Sequence, residues 1–392
     1  MRICLVTREY PPLTRFSGGI GRAFATLAPA LAADGHEVHA LVVGLDGVCT
    51  SADEVQIHGL GGMRLTHPGP LTRLAAAVAT RQALARLGRF DVVYAPEWSG
   101  DAAACGARPD GLLVTNLATS LSQVRAASPD TRRVADLRPH RLAQAMLEQR
   151  QARRSSGIVA PSRAVLEWAR RLWSRVGPLP SRIIPNPVEL SSVTSMSRGE
   201  PPEGFPQDAP TVTFAGRLER LKGVHVLVDS MAEVWDAVPN VRLVFFGPDA
   251  AWRGRGMRQY LSARAGARAD RLVFLGEQPP DRLYPAFAAS TVVVVPSFWE
   301  SFGNVALEAQ AVGTAVIGTR DTGLADLIEH ERSGLLVGRG RRKELATSIL
   351  RLIVDDALRE RIGAAAQTNA RRFDAPRIAR EHVDFFRFLQ GE

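Results

Sequence analysis

The chain has 392 residues, 45% of them hydrophobic and 23% charged, with 49 basic and 40 acidic side chains and a formal net charge of +9. That length exceeds one ordinary core and suits two domains, while the balanced composition excludes a disordered chain and the lack of a long apolar run excludes a membrane-spanning helix. The charge favours anionic partners, but no zinc-ligand pattern, stacking-aromatic motif or basic tail accompanies it, so nucleic acid is not expected among them.

Only five residues separate Arg2 from Arg8, too few for the apolar centre of a signal peptide, which predicts a cytoplasmic protein. Cys4, Cys49 and Cys105 are an odd, unpaired set and read as buried reduced thiols. The run Ile3 to Thr7, the turn-rich segment Tyr10 to Gly21 and the helical pattern Arg22 to Ala33 read as strand, glycine loop and helix. Apolar runs at Val38 to Val43, Val92 to Ala95 and Leu112 to Thr115, alternating with helical stretches such as Leu71 to Leu87, predict a doubly wound α/β domain.

Arginines crowd residues 132–176 (Arg132, Arg133, Arg138, Arg141, Arg150, Arg153, Arg154, Arg163, Arg170, Arg171 and Arg175) on two predicted helices split by Ile158 to Pro161. They form either a solvated face or a basic amphipathic surface suited to peripheral contact with an anionic membrane. Residues 186–209 are rich in Ser, Pro, Gly and Glu and read as a linker. Strand candidates then resume at Thr211 to Ala215, Arg242 to Phe246, Leu272 to Leu275, Val292 to Val295, Ala315 to Ile317 and Leu335 to Leu336.

The densest chemistry is Pro296-Ser-Phe-Trp-Glu300-Ser-Phe-Gly-Asn-Val-Ala-Leu-Glu308. It follows a buried strand, so the loop lies where open α/β sheets bind ligands, and the amides near Phe302, Gly303 and Asn304 open a helix with its positive dipole end. Glu300 and Glu308 bracket the loop, and carboxylates suit sugar hydroxyls because each accepts several hydrogen bonds. A second segment, Thr211-Val-Thr-Phe-Ala-Gly-Arg217-Leu-Glu-Arg-Leu-Lys222-Gly223, places Arg217 and Lys222 between a strand and a helix start, a pyrophosphate-binding arrangement. Lys222 is one of two lysines in an arginine-rich chain, the other being Lys343.

These segments, in this order, resemble the C-terminal domain of glycosyltransferase family four, the retaining GT-B enzymes. Glu9-Tyr-Pro-Pro12 with Gly18-Gly-Ile-Gly21, Gly35-His-Glu-Val38, Val159-Ala-Pro-Ser162, Ile184-Pro-Asn-Pro187 and Phe373 to Leu389 extend the resemblance over nearly the whole chain. It implies an α/β GT-B fold: two Rossmann-like domains facing across a cleft, with the last helix crossing back to the N-terminal domain. The implied bounds are 1–185 for an acceptor domain, 186–209 for the linker, 210–372 for a nucleotide-sugar domain and 373–392 for the returning helix. Arg217, Lys222 and Glu300 are the implied catalytic set. Gly18, Gly19, Phe302, Gly303, Asn304 and Glu308 are the implied donor-binding set, Glu308 on the ribose and Glu300 on the transferred sugar.

The function implied is metal-independent transfer, with retention, of a hexose-type sugar from a nucleotide diphosphate (UDP favoured, GDP second) to a hydroxyl of a small molecule, glycan or lipid. No Asp-x-Asp occurs to hold a divalent ion, so no cofactor is expected. Two departures bear on specificity. Relatives often place a histidine in the loop after Leu112 to Thr115, which here reads Asn116-Leu-Ala-Thr-Ser120; Glu97, Thr115 and Asn116, with Thr119 and Ser120, are the acceptor candidates in its place. Thr322-Gly323 stands where relatives often have two glycines. A GT-B nucleotide-sugar epimerase and a catalytically silent sugar-binding protein remain alternatives.

Overall fold

The computed structural model describes residues 1–392 except 15–17, 46, 48, 61–68, 107–110, 129–137, 174–175 and 253. The chain forms two compact units, one of Met1–Ala126, Asp130–Pro187 and Asp374–Glu392, the other chiefly of Val188–Phe373. The arginines Arg132, Arg133 and Arg175 lie outside the described residues.

The strands of the first unit are Arg2–Thr7 (β1), Glu37–Val42 (β2), Cys49–Ala52 (β3), Val55–Gly59 (β4), Val92–Pro96 (β5), Leu112–Asn116 (β6), Gly157–Ala160 (β7) and Ser181–Ile183 (β8). They form one sheet in the order β3-β4-β2-β1-β5-β6-β7-β8, parallel throughout except for β3 against β4. Buried on both faces, β1, β2, β5 and β6 are continuous apolar runs, which is what made them legible. The chain leaves β1 towards β2 and later returns to its other side at β5, so a topological switch point falls between β1 and β5, where ligands gather in open α/β sheets.

The last helix, Ala375–Gln390, is part of this first unit. Its Ile378, Ala379, Val383, Phe385 and Phe386 join the core of β1, β2, β5 and the helix Gly19–Ala33. At the centre His382, 2% exposed, donates from Nδ1 to the Ile378 carbonyl at 2.8 Å and accepts at Nε2 from the Tyr94 hydroxyl at 3.1 Å. Burial pulls this imidazole down to about 4, so it is neutral around pH 7 and the tautomer is fixed by these two partners.

The second unit has Thr211–Ala215 (β9), Arg242–Phe246 (β10), the ribbon Ala251–Trp252 and Arg255–Gly256 (β11, β12), Leu272–Gly276 (β13), Val292–Val295 (β14), Val316–Thr319 (β15) and Leu335–Val337 (β16). Apart from the ribbon they build a six-stranded parallel sheet ordered β13-β10-β9-β14-β15-β16, so its switch point lies between β9 and β14. Val212, Phe214, Val292, Val294 and Ile317 meet one helical layer, and Ala215, Val293, Val295 and Val316 meet the other, as two-sided burial requires.

The segment expected as a linker, 186–209, carries a helix, Leu190–Met196, and from Val188 onward it belongs to the second unit. Val188 and Val193 enter that unit's core, and the Val188 amide donates to the Phe373 carbonyl. Cys4 and Cys105 are buried in one cluster as expected, whereas Cys49 is exposed on edge strand β3. No helix of the described residues is long and apolar enough to cross a membrane.

Candidate functional site

The β9-to-helix connection is built around Gly223, whose φ is +73° and whose position is so close to β14 that a Cβ there would lie 2.0 Å from the Pro296 carbonyl oxygen. Only glycine accommodates both the left-handed backbone and that approach. The consequence is that the short turn Arg220–Lys222 lies against the loop after β14, with the Phe298 amide donating to the Leu221 carbonyl at 2.8 Å. Stacking of His225 on Phe298, with ring centroids 5.7 Å apart, fixes the same pair of loops.

Two loops that are distant in sequence thereby meet at the switch point. Lys222 Nζ stands 2.8 Å from Glu300 Oε2, which also accepts from Ser297 Oγ at 3.2 Å. The ion pair is only partly covered, with Lys222 25% and Glu300 16% exposed, so both ends remain reachable by a ligand. Arg217, on the same connection, is 54% exposed and pairs with Glu219 at 3.0 Å. The backbone of Glu300 is pinned by the Gly323 amide, which donates to its carbonyl at 2.8 Å. Gly323 must be glycine, because a Cβ would meet the Ser301 carbonyl oxygen at 2.0 Å. Thr322 is 1% exposed and its hydroxyl donates to the Thr319 carbonyl, so this departure from the family pattern is absorbed inside its own turn.

Gly303, at φ +106°, opens the helix Asn304–Ala311. Phe302 is 1% exposed and packs edge-on against Phe373, so its side chain belongs to the core and only its backbone is available for the donor role expected of it. Glu308, one helical turn in, is 6% exposed.

The first unit places its candidates differently. Gly18 caps the helix Gly19–Ala33 with an ordinary φ of −89°, and its amide donates to Glu9 Oε2 at 2.7 Å. The close approach in that motif is at Gly21, where a Cβ would meet Glu9 Cβ at 2.6 Å. Thr115 is fully buried, with its hydroxyl 2.6 Å from Ser155 Oγ and within 3.3 Å of Gln151 Nε2; it holds the interior together instead of facing an acceptor. Asn116 is 7% exposed and its carbonyl accepts from the Glu97 amide. Glu97 is 1% exposed, and its Oε2 accepts from the Ala118 amide at 2.6 Å. Burial, with the nearby Glu148 adding, pushes the Glu97 carboxyl up to about 8.

Around the ends of β1 and β5 the structure gathers charges that sequence reasoning passed over. Arg8 grips Asp101 with two hydrogen bonds of 2.6 Å, and Arg73 donates to Ser99 Oγ at 3.3 Å. Arg73 is half-buried, and burial, with the neighbouring Arg8 adding, lowers its pKa against the opposing pull of Asp101 and Glu148. Arg8 directly follows the first strand, which was the available signal; Arg73 lies on a helix with no acidic residue to mark it. Among the described residues no group of three or more His, Cys, Asp or Glu is placed to hold a metal ion.

The model described as Glycosyltransferase Family 4 matches residues 17–192, and that described as Glycosyl transferases group 1 matches 198–369. A D-inositol 3-phosphate glycosyltransferase of Acidothermus cellulolyticus is 32% identical over 320 residues, covering 78% of this chain and 69% of that protein. One from a Nocardioides species is 28% identical over 428 residues, covering all of this chain and 90% of its own length. The chain belongs to glycosyltransferase family 4.

This family 4 glycosyltransferase shares its fold with sucrose-phosphate synthase of Thermosynechococcus elongatus, at a TM-score of 0.81 and 22% identity over 100% of both chains. Anabaena HepE, solved in complex with UDP and glucose, gives a TM-score of 0.71 at 21% identity, covering 98% of each chain. Within the glycosyltransferase, Lys222 and Glu300 are brought together as the sequence led one to expect of a shared site, and Arg217 shares the same connection.

Proposed function

We propose that this glycosyltransferase moves a hexose-type sugar from a UDP-sugar to a hydroxyl of a phosphorylated polyol, with retention of configuration and without a metal ion. The observation that carries the donor half is the Lys222–Glu300 pair at the switch point between β9 and β14, with Arg217 on the same connection as Lys222. Without donor, the lysine and the glutamate neutralise each other. A diphosphate entering beside Lys222 and Arg217 takes over the cations, which releases the Glu300 carboxylate to accept from the sugar hydroxyls. Glu308 is assigned to the ribose hydroxyls and the amides of Gly303 and Asn304 to the sugar.

As the glycosidic bond breaks, negative charge grows on the leaving phosphate, and fixed cations stabilise it more in the transition state than in the ground state. The same phosphate oxygen can take the acceptor's proton as the hydroxyl attacks from the face it leaves, so no protein nucleophile is required. The UDP assignment is supported by the ligand named for Anabaena HepE. The phosphorylated acceptor is supported by the names of the inositol-phosphate relatives and by the half-buried Arg73 guanidinium, which bonds the neutral Ser99 hydroxyl and which an anionic group would suit.

A thermal-shift panel of UDP-, GDP-, ADP- and TDP-sugars tests the donor assignment without an acceptor. A ligand at about 100 times its dissociation constant stabilises by roughly 2.7 kcal/mol, and the UDP-sugars should give the largest shift. No shift with any of the four, or a shift confined to GDP-sugars, would overturn it.

A further inference from the structure

The helix Pro139–Arg154 carries four arginines and one acid, Glu148, which is fully buried. A single carboxylate hidden beneath an arginine-covered helix demands a cause, since burial alone disfavours its ionised form. Three donors converge on it, two from distant parts of the first unit and one from its own helix. Oε1 accepts from the Ser99 amide at 3.2 Å and from Gln144 Nε2 at 2.7 Å, and Oε2 accepts from the Leu121 amide at 3.0 Å. A carboxyl group has acceptor lone pairs on both oxygens for all three; a glutamine would turn its own N–H groups towards one of the amides.

What those bonds hold is specific. Ser99 has a φ of +73°, an uncommon backbone for a residue with a side chain, and the following Gly100 presses so closely on the helix that a Cβ would lie 2.5 Å from Leu147 Cβ. Its hydroxyl is the partner of Arg73. Leu121 ends the loop after β6, whose Ala118 amide is held by Glu97. One helical turn further, Gln151 repeats the clamp, accepting from the Ala102 amide at 3.0 Å and donating to the Pro96 carbonyl at 2.9 Å.

We propose that Glu148 is a positioning residue for the acceptor, tying the 98–100 turn and the loop after β6 to one helix so that Ser99 holds the Arg73 guanidinium in place for an anionic acceptor group. The proposal rests on the acceptor reading above for its ligand, but its structural half stands apart. The titratable neighbours facing Glu148 are Arg73 from the helix Pro70–Leu87, a cation, and Glu97 from the end of β5, whose raised pKa keeps it protonated at neutral pH. Burial holds the Glu148 carboxyl near 7 against the pull of its three donors and Arg73.

Charge and positioning predict opposite signs for Glu148→Gln. Removing a negative charge beside an anion site strengthens anion binding if the carboxylate acts through its charge alone, whereas losing the clamp weakens it. Calorimetry with D-inositol 3-phosphate as probe should therefore show affinity reduced about tenfold or more, consistent with leaving a buried amide unsatisfied, while UDP affinity stays at the wild-type value. Amide exchange of segments 97–102 and 117–122 should accelerate in the same variant. Ser99→Ala, which leaves the Glu148 bonds intact, should reproduce the loss of probe affinity without the faster exchange.

Unchanged or tighter probe binding in Glu148→Gln, or wild-type affinity in Ser99→Ala, overturns the proposal. If the wild-type protein binds UDP and not the probe, the acceptor reading fails. The exchange experiment then still decides whether Glu148 clamps the two loops, and unchanged exchange there would overturn that as well.

Discussion

At the scale of single residues, the four side chains assigned to the donor were all legible in the sequence, because a strand, glycine and helix pattern fixes where they must lie. Their relation was not. Lys222 and Glu300 are 78 positions apart and meet only because Gly223 lets one loop approach the other. The assignment gives the two glutamates different failures. Glu308→Gln removes the charge that accepts from the ribose and should weaken UDP binding about ten- to a hundredfold, as loss of a charge-assisted hydrogen bond does. Glu300→Gln should leave free UDP binding nearly intact and lower kcat, because the sugar is held less well in reactive geometry. Calorimetry with UDP on both variants, beside steady-state kinetics, separates them; equal losses of UDP affinity would contradict the division. Glu148 was invisible in the sequence for the converse reason: its meaning lies in the Ser99 and Leu121 amides, which no spacing links to it, and only its isolation among arginines set it apart.

At the scale of elements, the buried parallel strands were read almost to the residue, since two-sided burial demands unbroken apolar runs. The hairpin β3–β4 was missed. Its outer strand, Cys49–Ala52, is mostly exposed and polar, so it carries neither an apolar run nor a clear alternation. The helix Leu190–Met196 was hidden in a stretch whose Ser and Pro content suggested a linker. The element on which the donor site depends most is the turn at Gly223. Gly223→Ala must combine left-handed backbone strain, of order 1–3 kcal/mol, with overlap on the Pro296 carbonyl. The variant should lose UDP binding before it loses its fold, seen as a lowered thermal midpoint with no further rise on adding UDP. A variant that binds UDP as the wild type does would show that the two loops need not touch.

At the scale of the whole molecule, two α/β units were expected from the order of elements and a last helix returning to the first from the family resemblance, and the contacts explain why that helix stays: an apolar face and one neutral, fully bonded histidine. The buried acid Glu97 gives the fold a pH signature. The folded state keeps its proton up to about pH 8, whereas an ordinary carboxyl loses it near 4.5. Between those values the folded chain binds more protons than the unfolded one, so this group's contribution to stability falls as pH rises. Glu97→Gln should flatten the decline in thermal midpoint between pH 6 and pH 8.5 relative to wild type, and an unchanged slope would show that Glu97 is ionised in the folded protein.

The central claim, retaining transfer by fixed protein cations, is tested most directly in one proton NMR experiment. The protein is incubated in excess EDTA with the UDP-sugar that gives the largest thermal shift and with D-inositol 3-phosphate, and the anomeric coupling of the new glycoside is followed from first turnover. The account predicts UDP release with an α-linked product from an α-linked donor, at a rate unaffected by EDTA. A β-linked product, or turnover that appears only when magnesium or manganese is restored, would contradict it.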